Sequence, residues 1–188
     1  ELQTRNGAGK TSFIELVHFL LGGKAERDSL FRKTALAAFT FGMEFDLAEF
    51  PTIVKRSGSR PSRILFQAAF PDNWPEKPNS VDENTSDWVL SNEKWKRVLG
   101  KLIFEIPTDT EKFGPTFRSL FSYFVRRQSN EGFLSPITQS RWQYTWDQQV
   151  AISYLLGLDW TISSEWEAVR KKERTLQELR KAASGEEE

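Results

Sequence analysis

The sequence predicts an α/β fold, and three observations predict it. A glycine-rich turn, Thr4-Arg5-Asn6-Gly7-Ala8-Gly9-Lys10-Thr11, runs directly into an apolar helix. Three strand-like segments follow between residues 41 and 70, and helical periodicity returns from residue 88 onward. The 188 residues suit one domain or one lobe of a larger one, with 15 Phe and 7 Trp to fill a core. Lys and Arg number 26 and Asp and Glu number 26, so net charge argues neither for nor against a polyanionic partner. There is no cysteine, which excludes disulfides and thiolate metal sites and suits a cytoplasmic protein. No apolar run approaches the ~18–20 residues of a membrane span, so no membrane partner is expected.

The opening turn sets the chemistry. It fits the phosphate-loop pattern G-x-x-x-x-G-K-[ST], with Thr4 in place of the first glycine and Gly9, Lys10 and Thr11 in register. Gly7 and Gly9 let the backbone curl so that successive N–H groups converge on one anion. The N-terminus of the following helix adds its unpaired N–H groups and positive dipole end. Arg5, Asn6, Gly7, Ala8, Gly9, Lys10, Thr11 and Ser12 are therefore the predicted nucleotide site. Lys10 is expected on the β- and γ-phosphates of ATP, and the Thr11 hydroxyl on Mg²⁺. The bland alternative is a glycine turn before an ordinary helix, with Lys10 solvated. Glu1-Leu2-Gln3 precede the loop without a methionine, so the expectation is a piece whose N-terminal strands lie elsewhere.

The first helix follows from Phe13, Ile14, Leu16, Val17, Leu20 and Leu21, with Gly22-Gly23 as its stop. His18 within it is expected to be packed or hydrogen-bonded, not catalytic. Thr34 to Phe39 reads as a short helical turn or a loop. Phe41–Leu47, Thr52–Arg56 and Arg63–Phe70 read as an antiparallel β layer, with Ser57 to Pro61 as a hairpin loop. Arg56, Arg60 and Arg63 fit either a phosphate contact or a solvated strand face. Pro71 to Asp87, with three prolines, reads as an exposed loop. Trp88–Leu102 then reads as helical.

Phe117, Leu120, Phe121 and Phe124 fall at helical spacing and predict a helix over Thr116–Arg127, with Arg118 on its polar side. Another is expected over Trp142–Leu156, closed by Gly157. Arg126 and Arg127 fit either a helix-end charge cluster or a contact to DNA or phosphate. The tryptophans are expected in the core or at a lobe interface, not as base-stacking platforms. Ile162, Trp166, Val169, Glu173 and Leu176 are spaced 4-3-4-3, which fits a coiled-coil seam or a lone amphipathic helix.

This order of parts resembles the N-terminal half of an ABC-type ATPase head of the SMC, SbcC, RecN and RecF kind. RNGAGKTSFIELVHFLLGG is similar to the Walker A segment, Phe41 to Phe70 to the β subdomain, FSYFVRRQ to the approach to the Q-loop, and ISYLLGLD to the stretch before the coiled coil. PTFRSLFSYFVRR looks most like SMC-like ATPases of prokaryotic anti-phage systems of the Lamassu or ABC-three-component type. The resemblance implies an N-lobe of a P-loop NTPase over residues 1–160, followed at 161–188 by the start of a coiled coil and a frayed end. It implies that Gln128 is the Q-loop glutamine sensing Mg²⁺ and the attacking water. It further implies a C-terminal lobe completing the head, a second head in a homodimer, double-stranded DNA, and other subunits of a defence or repair complex. The setting it implies is the prokaryotic cytoplasm, in association with the nucleoid. Gln128 is followed by Ser129 where the family often has glycine.

Hydrolysis also needs a metal-holding aspartate and a water-activating glutamate. Asp46 and Glu105 are the nearest candidates, and neither sits in a convincing strand end. A serine-glycine-glycine signature is absent from these residues. The expectation is therefore a split head that hydrolyses ATP only when completed by a C-lobe. A P-loop kinase of a small metabolite and a nucleotide-gated interaction module are the competing readings. The absence of an N-K-x-D segment argues against guanine selectivity.

Overall fold

A computed structural model describes residues 9–69, 74–109 and 112–184. The described chain is mixed α/β: a five-stranded antiparallel sheet with helices packed on and beside it. Helix α1 (Lys10–Leu20) stops where the Gly23 N–H bonds back to the His18 carbonyl at 2.7 Å. A 3₁₀ turn (Leu30–Arg32) and the one-turn helix α2 (Thr34–Ala37) lead into the sheet.

Strands β1 (Thr40–Leu47) and β2 (Phe50–Ser57) form a hairpin paired from Thr40↔Ser57 to Leu47↔Phe50. The two connecting residues, Ala48 and Glu49, take φ of 51° and 70°, the left-handed pair that matches strand twist. Strand β3 (Arg63–Ala68) pairs with β2, and Gly58 lies in the loop between them. A Cβ on Gly58 would sit 1.7 Å from the Phe31 carbonyl, so this loop packs backbone against backbone on the 3₁₀ turn.

The stretch from Pro71 to Asp87, expected as loop throughout, contains the two-residue strand β4 (Ser80–Val81). Trp88–Ser91, expected as helix, is strand β5, and the spatial order is β1-β2-β3-β5-β4. The physical reason lies at Ser91, which accepts a hydrogen bond from the Lys94 N–H and starts helix α3 (Asn92–Phe104). Helix α4 (Phe117–Phe124) begins in a Thr116–Ser119 capping box and ends three residues before the expected Arg127. Helix α5 (Thr145–Leu155) begins three residues after Trp142, which stays outside it and 66% exposed. Helix α6 (Thr161–Ser184) runs for 24 residues.

The main core joins one sheet face to α1 and α3. Val54, Ile64, Phe66 and Leu90 pack against Phe19, Leu20, Trp95, Val98 and Leu99. A smaller cluster of Ile106, Leu120 and Ala151 ties α4 to α5. Trp95 and Trp74 do join the core, stacked beside Phe66, as expected of core tryptophans.

Candidate functional site

The predicted site is the N-terminus of α1, and its described part starts at Gly9. Arg5, Asn6, Gly7 and Ala8 lie outside the described residues. Gly9 has φ 81°, a left-handed conformation that a side chain would strain, and its carbonyl accepts the first helical bond from Phe13 at 2.8 Å. Lys10, Thr11 and Ser12 follow on the exposed first turn. Among the described residues no side chain caps this helix start, and its first turn holds no acid. The N–H groups and dipole at this end are thus uncompensated by any described side chain.

The opposite end of α1 is held from all sides. Arg56 on β2 donates to the Phe19 carbonyl and to the Gly23 carbonyl, the latter at 2.9 Å. The Trp95 indole donates to the Leu20 carbonyl at 3.0 Å, Asn92 to Gly22 at 3.2 Å, and Arg118 to Leu21 at 3.2 Å. Carbonyls that a helix leaves orphaned are therefore satisfied from three elements, with two guanidiniums on the negative dipole end. Arg56 is 2% exposed and also stacks on the Phe19 ring. It is neither a phosphate ligand nor a solvated strand residue. Burial lowers it to about 10. Arg63 pairs with Asp82 at 2.7 Å, while Arg60 is exposed.

Arg118, expected on the solvent side of its helix, turns back onto α1. Its guanidinium donates to His18 Nδ1, and burial followed by the charges of Arg127 and Arg56 lowers it to about 10 against the pull of Glu15. With Nδ1 accepting, the neutral ring carries its proton on Nε2, which donates to the Val125 carbonyl at 2.8 Å. Burial and the neighbouring Arg118 hold His18 down at about 3, with Arg127 adding to them. His18 is packed and hydrogen-bonded, as expected.

Gln128 lies in a 3₁₀ turn (Gln128–Asn130) just beyond α4, exposed. The next residue, Ser129, donates to Glu15 of α1 at 3.0 Å. Arg127 Nε lies 3.3 Å from the same carboxylate, an ion pair whose alignment falls short of a hydrogen bond. The two residues flanking Gln128 are thereby tied to the helix that starts at Lys10. Glu15, Arg118 and Ser129 are the residues that sequence reasoning passed over. A glutamate four positions after Thr11 on the same helix side was the one available signal.

Arg126 spends its charge on the following loop. It donates to the carbonyls of Gly132 at 2.7 Å, Ser135 at 2.6 Å and Pro136 at 2.6 Å. Asp46 projects from the exposed face of β1, opposite Phe45 and Leu47. Glu105 caps α3 with φ 57° and ends no strand. Among the described residues no group of three His, Asp or Glu side chains is placed to hold a metal, and no helix is long and apolar enough to cross a membrane.

No protein-family model, no curated protein and no solved structure matches this chain.

Proposed function

We propose that this chain is the ATP-binding N-lobe of an SMC-like, ABC-type ATPase head. The observation that carries the reading is Gly9 in left-handed backbone, feeding Lys10 and Thr11 onto a helix start that no described side chain caps, on a helix whose other end is locked. In this reading Lys10 reaches the β- and γ-phosphates, and Thr11 and Gln128 attend Mg²⁺. The tie between Ser129 and Glu15 supports the pairing of Gln128 with α1. Helix α6 supports the start of a coiled coil: Ile162, Trp166, Val169 and Leu176 are all exposed along one 24-residue helix.

Residues 1–160 are then the lobe, and 161–188 the entry to the coiled coil. A C-terminal lobe supplies the signature and the water-activating acid, and two heads close on ATP. Hydrolysis is coupled to binding double-stranded DNA within a complex for anti-phage defence or DNA repair, in the prokaryotic cytoplasm. DNA enters this reading through the resemblance alone.

Single-turnover hydrolysis tests the split. The chain with Mg²⁺ and ATP binds nucleotide without turnover. Hydrolysis at ordinary ATPase rates by the chain alone overturns the split head. Transfer of the γ-phosphoryl to an added metabolite overturns the ATPase reading in favour of a kinase.

A further inference from the structure

We infer that Glu15 is a positioning residue that sets Gln128 against the side of α1 that carries Thr11, the residue proposed to attend Mg²⁺. The inference rests on the proposed nucleotide site and adds a residue to it. Thr11 and Glu15 are four apart on α1, so their Cβ atoms lie about 5–6 Å apart on one helix side. Thr11 is the residue assigned to Mg²⁺, and Glu15 stands directly behind it.

Three contacts tie the chain on either side of Gln128 to this helix. His18 Nε2 donates to the Val125 carbonyl at 2.8 Å, and Arg127 lies 3.3 Å from Glu15. Ser129 Oγ donates to Glu15 Oε1 at 3.0 Å. Arg127 also donates to Asn130 at 3.3 Å, which bridges the ends of the 3₁₀ turn. Gln128 itself is left exposed between two residues that Glu15 holds. The carboxylate thus fixes the two flanks of Gln128 and leaves its amide free to turn toward a ligand. Glu15 is about one-quarter exposed at its side chain, as is Arg127, so neither contact is required to fill the core. A glutamate placed to stabilise the core would be buried, and one placed to stabilise α1 would pair within the helix, with His18 one turn on. Its partners instead come from more than 110 residues away in sequence.

The test is ATP affinity measured with Mg²⁺ and with EDTA, using a fluorescent ATP analogue on the full chain. Gln128→Ala is expected to remove most of the Mg²⁺-dependent gain in affinity while leaving the EDTA value unchanged. Glu15→Ala is expected to do the same, roughly fivefold to tenfold, and the double variant no more than either single one. Ser129→Ala, a surface change, is expected to give a part of the loss, and Glu15→Gln to restore a part of it. Thermal unfolding of each variant is followed alongside, because a purely structural role moves the melting temperature and leaves the Mg²⁺ dependence intact. An unchanged Mg²⁺ dependence in Glu15→Ala, or fully additive losses in the double variant, overturns the inference. Lys10→Ala separates the two layers: if it binds ATP like the parent chain, the nucleotide site itself fails, and the positioning role falls with it.

Discussion

Acidification should loosen the joint between α1 and the end of α4, and His18 sets the size of the effect. The ring accepts from Arg118 at Nδ1 and donates to Val125 at Nε2, so a second proton would point an N–H at a guanidinium. Burial first, then the Arg118 charge, holds the folded-state value at about 3 against the Val125 hydrogen bond, compared with 6.5 for a free imidazole. The unfolded chain therefore binds the extra proton first. Stability from this group is complete above pH 6.5 and is lost as pH falls toward 3. The slope is at most about 1.4 kcal/mol per pH unit, and the ceiling over the whole interval is about 5 kcal/mol. Between pH 7 and pH 5 the loss is about 2 kcal/mol. Urea unfolding followed by tryptophan fluorescence at a series of pH values gives the slope directly. His18→Gln is the matched control, since its amide oxygen accepts from Arg118 and its nitrogen donates to Val125 without titrating. The difference in slope between the two proteins isolates His18 from the carboxylates. Equal slopes in the parent chain and His18→Gln would refute the buried neutral imidazole.

Trp95→Phe keeps most of the core volume but leaves the Leu20 carbonyl without its indole donor, and should cost about 1–3 kcal/mol in chemical unfolding. Asp87 is fully buried; burial pushes its carboxyl up, but hydrogen bonds from Lys55, Thr85 and Gln67 with the Lys55 charge bring it below its ordinary 3.8. Asp87→Asn should therefore cost about 1–3 kcal/mol at pH 7, discounted because Lys55 keeps 29% exposure. The contribution of Asp87 is present above pH 3.8 and is lost as pH falls through its lowered value, so the penalty of the substitution should shrink in acid. Leu176→Ser, at a position 50% exposed on α6, should change stability by no more than about 0.5 kcal/mol if the exposed stripe serves a partner and not this fold.

Much of the fold is legible along the chain because local pattern and tertiary need agree. Helix α1 reads from its apolar period and its glycine stop, and β1 to β3 read from β-branched and aromatic runs broken by a turn. Trp88-Val89-Leu90-Ser91 misleads because a short apolar run fits a strand or a helix equally well. The arbiter was Ser91, the N-cap residue that ends the run and starts α3. The β1–β2 hairpin is hidden for a different reason: Ala48 and Glu49 adopt left-handed backbone without the Asn-Gly that usually marks such a turn. Arg118 shows the limit of helical-wheel logic. Its position is polar by sequence, yet its partners, Leu21 and His18, are about 100 residues away. The same holds for Glu15 and Ser129, whose meeting depends on how α4 crosses α1. At the start of α1, the left-handed backbone of Gly9 and the helix that follows it were legible from the glycine spacing, while Arg5 to Ala8 lie outside the described residues.

Equilibrium binding of ATP to the chain and to Lys10→Ala tests the central claim most directly. Saturable one-to-one binding that weakens by at least tenfold in Lys10→Ala, with both proteins unfolding at the same temperature, is the predicted result. No binding by the parent chain, or equal affinity in the two proteins, would contradict it.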